Sequence, residues 1–173
     1  MDYYNFRING EPVGYFECFE SDGEIYQSAV LSIDGQIERN TFHVALHYGR
    51  PSKFRIGDGR WYSVPEGTWP SSAFQLLLRE GVEHYLSLDE GSGEVSDVEL
   101  HYDGEVVTEL SDGEVRRRFR IRDGKVIWIS WGGTAESTLK RTKADAVAGS
   151  PLAENRPADS GRPAGRTSPR TPR

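Results

Sequence analysis

Up to Trp131 the chain is built of short runs in which apolar and polar residues alternate, and most runs end at a turn-forming pair. Asn9-Gly10, Asp22-Gly23, Asp34-Gly35, Asp58-Gly59, Asp103-Gly104, Asp112-Gly113 and Asp123-Gly124 are those pairs. Asn, Asp and Gly tolerate positive φ, which two-residue hairpin turns require. The runs between them are rich in Val, Ile, Tyr and Phe, as strands of an antiparallel meander are. The pattern predicts strands at roughly 2–8, 12–20, 24–33, 36–48, 52–57, 60–64, 82–88, 95–102, 105–111, 114–122 and 125–131. Ten or so strands exceed what one flat sheet holds without curling. The expected fold is therefore mainly β: a β-roll or half-barrel of 10–11 strands around one short helix.

That helix lies in GRWYSVPEGTWPSSAFQLLLREG, residues 59–81. Ser72 and Gln75 have capping-box spacing, Pro70 suits the position just ahead of a first turn, and Gly81 is a natural stop. The helix near 72–80 carries Ala73, Phe74, Leu76, Leu77 and Leu78, apolar round most of its girth. Such a helix must be buried against the sheet.

Beyond Thr142 the composition changes to Ala, Gly, Pro, Ser and Arg, and five of the nine prolines sit there. Such a segment buries too little apolar area to offset chain entropy. The expected division is a β-roll domain at 1–141 and a disordered tail at 142–173, with an Arg/Pro docking tail as the alternative reading. The whole chain carries −6; residues 143–173 hold six Lys/Arg against three Asp/Glu, so residues 1–142 carry −9. An acidic body argues against nucleic acid as the main partner. No apolar run reaches the length of a membrane span, the N-terminus lacks a signal-peptide pattern, and Cys18 has no partner for a disulfide. These observations point to a cytoplasmic protein, and no cofactor is implied.

Candidate chemistry is sparse. Arg116, Arg118, Arg120 and Arg122 share one face of a strand. A two-residue turn at Asp112-Gly113 sets Glu109 opposite Arg116, Glu105 opposite Arg120, Val106 opposite Phe119 and Leu110 opposite Val115. An ion-pair ladder in solvent is the plain interpretation; a grip on an anionic head by Arg118 or Arg120 is the functional one. His43 and His47 lie on a strand, about 13 Å apart at strand rise and too far for one ion. No serine sits in a nucleophile elbow.

The layout from Gly57 onward resembles the glycolipid-binding family with a spiral β-roll and, more loosely, the lipoprotein-carrier half-barrels. The residues carrying the resemblance are the Asp58-Gly59-Arg60-Trp61 turn, then Pro70-Ser71-Ser72-Ala73 with the helix Phe74–Arg79, and the hairpin Asp123–Ile127. It covers residues 3–131 as a layout and implies non-catalytic binding of an amphipathic molecule.

The expected function is thus non-enzymatic binding of a lipid-like ligand between the curled sheet and the helix. Trp61, Trp69, Phe74 and Leu77 would shape the cavity, and Arg118 or Arg120 would meet an anionic head. The alternatives are a protein-interaction module with a filled core and, more weakly, a hydrolase whose site the sequence does not disclose. A homodimer through an exposed strand edge stays open.

Overall fold

A computed structural model describes residues 1–154 and shows one large curled, open sheet of thirteen strands. In chain order these are β1 (Asp2–Ile8), β2 (Glu11–Ser21), β3 (Glu24–Ile33), β4 (Gln36–His47), β5 (Arg50–Ile56), β6 (Tyr62–Ser63) and β7 (Thr68–Pro70). A 3-10 turn (Ser71–Ala73) runs into α1 (Phe74–Glu80). Then come β8 (His84–Leu88), β9 (Val95–Asp103), β10 (Val106–Ser111), β11 (Glu114–Arg122), β12 (Lys125–Trp131) and β13 (Ala135–Lys140). Two short helices, α2 (Lys143–Val147) and α3 (Pro151–Glu154), follow.

The spatial order is β6-β5-β4-β3-β2-β1-β13-β12-β11-β10-β9-β8-β7. β1 pairs with β13 in the middle, and two meanders run outward from that pair. The two sheet edges, β6 and β7, are consecutive in the chain, and β5 lies against β7 across the gap. All neighbours are antiparallel except β7 and β8, whose parallel pairing needs the crossover that α1 supplies. Register shifts at Phe6/Arg7, Ala45/Leu46, Glu109/Leu110 and Arg120/Ile121 add local twist, which curls so long a sheet.

The eleven strands read from the alternation are all present. Five of the predicted turns, at Asn9, Asp22, Asp34, Asp112 and Asp123, place both Asn/Asp and the following Gly at positive φ. The Asp103-Gly104 turn does so only at Gly104, and Asp58-Gly59 does so at neither residue. A sixth turn of the double-positive kind is Tyr48-Gly49, where Tyr48 has φ 51° and is 94% exposed. Tyrosine has no side-chain hydrogen bond to ease that conformation, as Asn and Asp do. Tyr48→Asn is expected to raise the unfolding free energy by about 0.5–1 kcal/mol in urea titrations.

Three expectations need correction. The sheet has two further strands, β7 and β13. The Ala-Glu-Ser-Thr-Leu-Lys of β13 has weak strand character, yet backbone pairing to β1 and β12 on both sides fixes it. Order also extends past residue 141. Thr142 caps α2 by accepting the Asp145 N–H at 3.1 Å, and Ala146, Val147 and Leu152 pack on Tyr3, Tyr15 and Val30 of the outer face. One small apolar stripe suffices to hold residues 142–154; the rest of the tail, 155–173, lies outside the described residues. Finally, Ser72 and Gln75 form no capping box: both turn to other partners, described below.

Candidate functional site

The inner face of the sheet and the buried face of α1 form one filled core. Tyr4, Phe16, Val44, Phe54, Val98, Val107, Phe119 and Ile129 meet Ala73, Phe74, Leu76 and Leu77. Phe74 and Leu77, expected to wall a cavity, are 2% and 1% exposed and serve as core. Phe74 stacks on Phe119 at 5.4 Å. Trp69 is also buried in this core, with the Arg50 guanidinium 5.1 Å from its ring. Trp61 instead lies at the surface, 38% exposed. Arg118 and Arg120 are exposed on the outer face, Arg120 over Trp128. The six expected site residues therefore do not converge.

The arginine that does reach the helix is Arg117. The register shift at Glu109/Leu110 pairs Glu109 with Arg117, Thr108 with Arg118 and Val106 with Arg120. Leu110 still faces Val115 as the turn implied, but the other three expected pairs move by one residue. Glu105 instead bridges to Arg122 at 3.2 Å. Arg117 grips Glu109 with two hydrogen bonds, Nε to Oε1 at 2.9 Å and Nη2 to Oε2 at 2.7 Å. Tyr85 donates its hydroxyl to the same carboxylate at 2.9 Å, and Arg117 Nη1 donates to the Ser71 carbonyl at 3.1 Å. Glu109 is 1% exposed, so this is a buried ion pair whose polar atoms are well partnered. Burial opposes the charge on Arg117, but Glu109 outweighs it and the arginine pKa is raised. Burial pushes the Tyr85 hydroxyl up to about 12.

A second buried carboxylate fixes the start of the helical segment. Glu90, in the β8–β9 loop, accepts the backbone N–H groups of Ser71 and Ser72, each at 3.1 Å. It also accepts the Ser71 hydroxyl at 2.8 Å and the Ser72 hydroxyl. A carboxylate is a stronger acceptor than the Gln75 amide, which explains why the local box gives way to a distant residue. Gln75 is left free to donate to Cys18 Sγ at 2.9 Å and to the Tyr4 hydroxyl at 3.3 Å.

Open space lies on the flank of α1. A cleft of about 350 Å³ separates the helix from the β11–β12 hairpin. Leu78, Ile121 and Val126 give it apolar walls, and Asp2, Gln75, Arg79 and Lys125 give it polar ones. Arg79 is bridged to Glu20 at 2.7 Å and Lys125 to Asp2 at 3.2 Å, in exposed pairs that solvent weakens. Gln75 lies between this cleft and Cys18. Burial first, and then the Asp2 charge, push the Cys18 thiol up to about 12. A thiol held protonated is a poor nucleophile. Cys18 is expected to resist a disulfide-exchange reagent at pH 8 in native protein and to react fully in denaturant. A second cleft, of about 420 Å³, opens at the sheet seam beside Trp69, Arg50 and Pro65.

The outer face carries a feature the sequence reading did not single out. Phe19, Tyr26, His43 and Arg55 stand opposite one another on β2 to β5. Phe19 and Tyr26 lie 5.1 Å apart, Tyr26 and His43 5.0 Å, and His43 and Trp61 6.4 Å. The Arg55 guanidinium sits 4.9 Å from the Trp61 ring. This row crosses four strands and is half-exposed. Burial and Arg55 lower the His43 pKa. The strand periods alone place Phe19, Tyr26 and His43 on outward positions, but only the register lines them up.

Among the described residues no group of His, Cys, Asp and Glu is arranged to hold a metal ion. No protein-family model matches the chain, and no curated protein or solved structure shows significant similarity to it.

Proposed function

We propose that this protein binds a small amphipathic molecule, without catalysing a reaction, in the cleft between α1 and the β11–β12 hairpin. The observation that carries this reading is the composition of that cleft. Its volume of about 350 Å³ falls in the range of small-ligand sites. An apolar tail fits against Leu78, Ile121 and Val126, and an anionic head fits between Arg79 and Lys125 at the rim. The site differs from the one the sequence suggested, because Phe74 and Leu77 fill the interior and the helix offers its flank.

Native mass spectrometry of the purified protein tests for a co-purified lipid, and calorimetric titration with dodecanoate tests binding directly. Lys125→Glu is expected to weaken dodecanoate binding roughly tenfold, equivalent to about 1.4 kcal/mol. Its unfolding free energy should move by less than about 0.5 kcal/mol, because Lys125 is at the surface. A protein that carries no lipid and takes up neither dodecanoate nor dodecyl maltoside does not have this function.

Docking of a protein segment is the second reading. The filled interior and the half-exposed aromatic row on β2 to β5 favour it.

A further inference from the structure

The outer face of β2 and β3 has two apolar stretches. The first, Tyr15 and Val30, is covered by α2 and α3. The second is the Phe19–Tyr26–His43 row with Arg55 and Trp61, which the described residues leave half-exposed. Both stretches lie on the same side of the same strands, since Tyr15 and Phe19 are four residues apart. That spacing corresponds to about 13 Å along the strand. The chain therefore leaves α3, which packs on β2 and β3, next to an uncovered continuation of the surface it already covers.

The residues that follow suit that surface. Residues 155–173 contain Pro157, Pro163, Pro169 and Pro172 and five arginines, with one Asp. Proline-rich segments dock on aromatic rows at low entropic cost, and arginine stacks on aromatic faces. Charge also favours the contact. The segment carries +4 and the whole chain −6, which leaves −10 on residues 1–154. Glu24 and Asp58 lie close enough to His43 to act on its charge, so the row has acidic neighbours. Length is sufficient: the three inter-strand steps from β2 to β5 span about 14 Å, and five residues of extended polyproline helix cover that distance at about 3.1 Å each.

We propose that residues 155–173 dock on the Phe19–Tyr26–His43–Trp61 row of the same molecule, continuing the cover that α2 and α3 begin. The contact is independent of the α1 cleft. It occupies the face that a protein partner would otherwise use, so a partner competing for the row must displace the segment.

A nitroxide on Ser168→Cys of the full chain tests this by paramagnetic broadening. Cys18 is 3% exposed and leaves the new cysteine as the reactive thiol. The amides of Tyr26 and His43 and the Trp61 indole are expected to lose most of their intensity, independently of protein concentration. The loss should disappear in Tyr26→Ser/Trp61→Ser protein whose remaining spectrum is unchanged, and should shrink in high salt. Unbroadened row signals overturn the proposal. So does broadening that persists in the double variant, which marks a segment passing near the row without binding it. Broadening that grows with concentration also overturns it, in favour of contact between chains.

Discussion

Arg117→Ala is expected to lower the unfolding free energy by about 3–5 kcal/mol, the usual cost of removing one partner from a buried ion pair. Arg118→Ala, one residue away, should change it by no more than about 0.5 kcal/mol. The contrast follows from burial. Glu109 is 1% exposed, and without Arg117 its carboxylate would keep the Tyr85 hydroxyl as its one short hydrogen bond and Arg116 Nε only at 4.0 Å. Arg118 is exposed and has no carboxylate within ion-pair distance among the described residues. The loss in Arg117→Ala is mainly the cost of a stranded charge, not the net worth of the pair. Combining Arg117→Met with Glu109→Leu should therefore recover much of it. Urea unfolding of the singles and the double measures the coupling. A loss under about 1 kcal/mol in Arg117→Ala would mean that Glu109 and Arg117 reach solvent.

Glu90→Ala is expected to cost about 2–4 kcal/mol, because four donors at the start of the helical segment lose one ionised acceptor. The loss should be local before it is global. Hydrogen exchange in α1 is expected to accelerate more than exchange in β2 and β3, whose residues take no part in the hydrogen bonds of Glu90. Glu90→Gln keeps an acceptor and should lose less. Equal acceleration in α1 and in β2 and β3 would show that Glu90 supports the whole fold and not the seating of the helix.

Most of the strand layout was legible because hairpins leave two local marks, alternation and an Asn/Asp-Gly pair. Where either mark was missing, legibility fell. β13 shows weak alternation and is held by its neighbours' backbones, and the Tyr48-Gly49 turn lacks the usual first residue. The site was harder for a related reason. Side chains in the 116–122 run alternate faithfully, and Arg117 shares the parity of Phe119 and Ile121, so its inward direction could have been read. Its partner could not, because one bulge between Glu109 and Leu110 moved the register. Glu90 was hidden for a different reason: nothing in its surroundings in the chain marks a residue that caps a helical segment from 18 positions away. Phe74 and Leu77 were rightly expected on the side of the helix that is buried against the sheet. Whether they line space or fill it depends on the packing of several strands at once.

The central functional claim is that a ligand enters on the flank of α1 and not beneath it. The most direct measurement is methyl NMR of the full chain titrated with dodecanoate. Saturable shifts are expected at Leu78, Ile121 and Val126, with little change at Leu77 or Val98 in the filled core. Shifts concentrated on Leu77 and Val98, or no saturable shift at any methyl group, would contradict it.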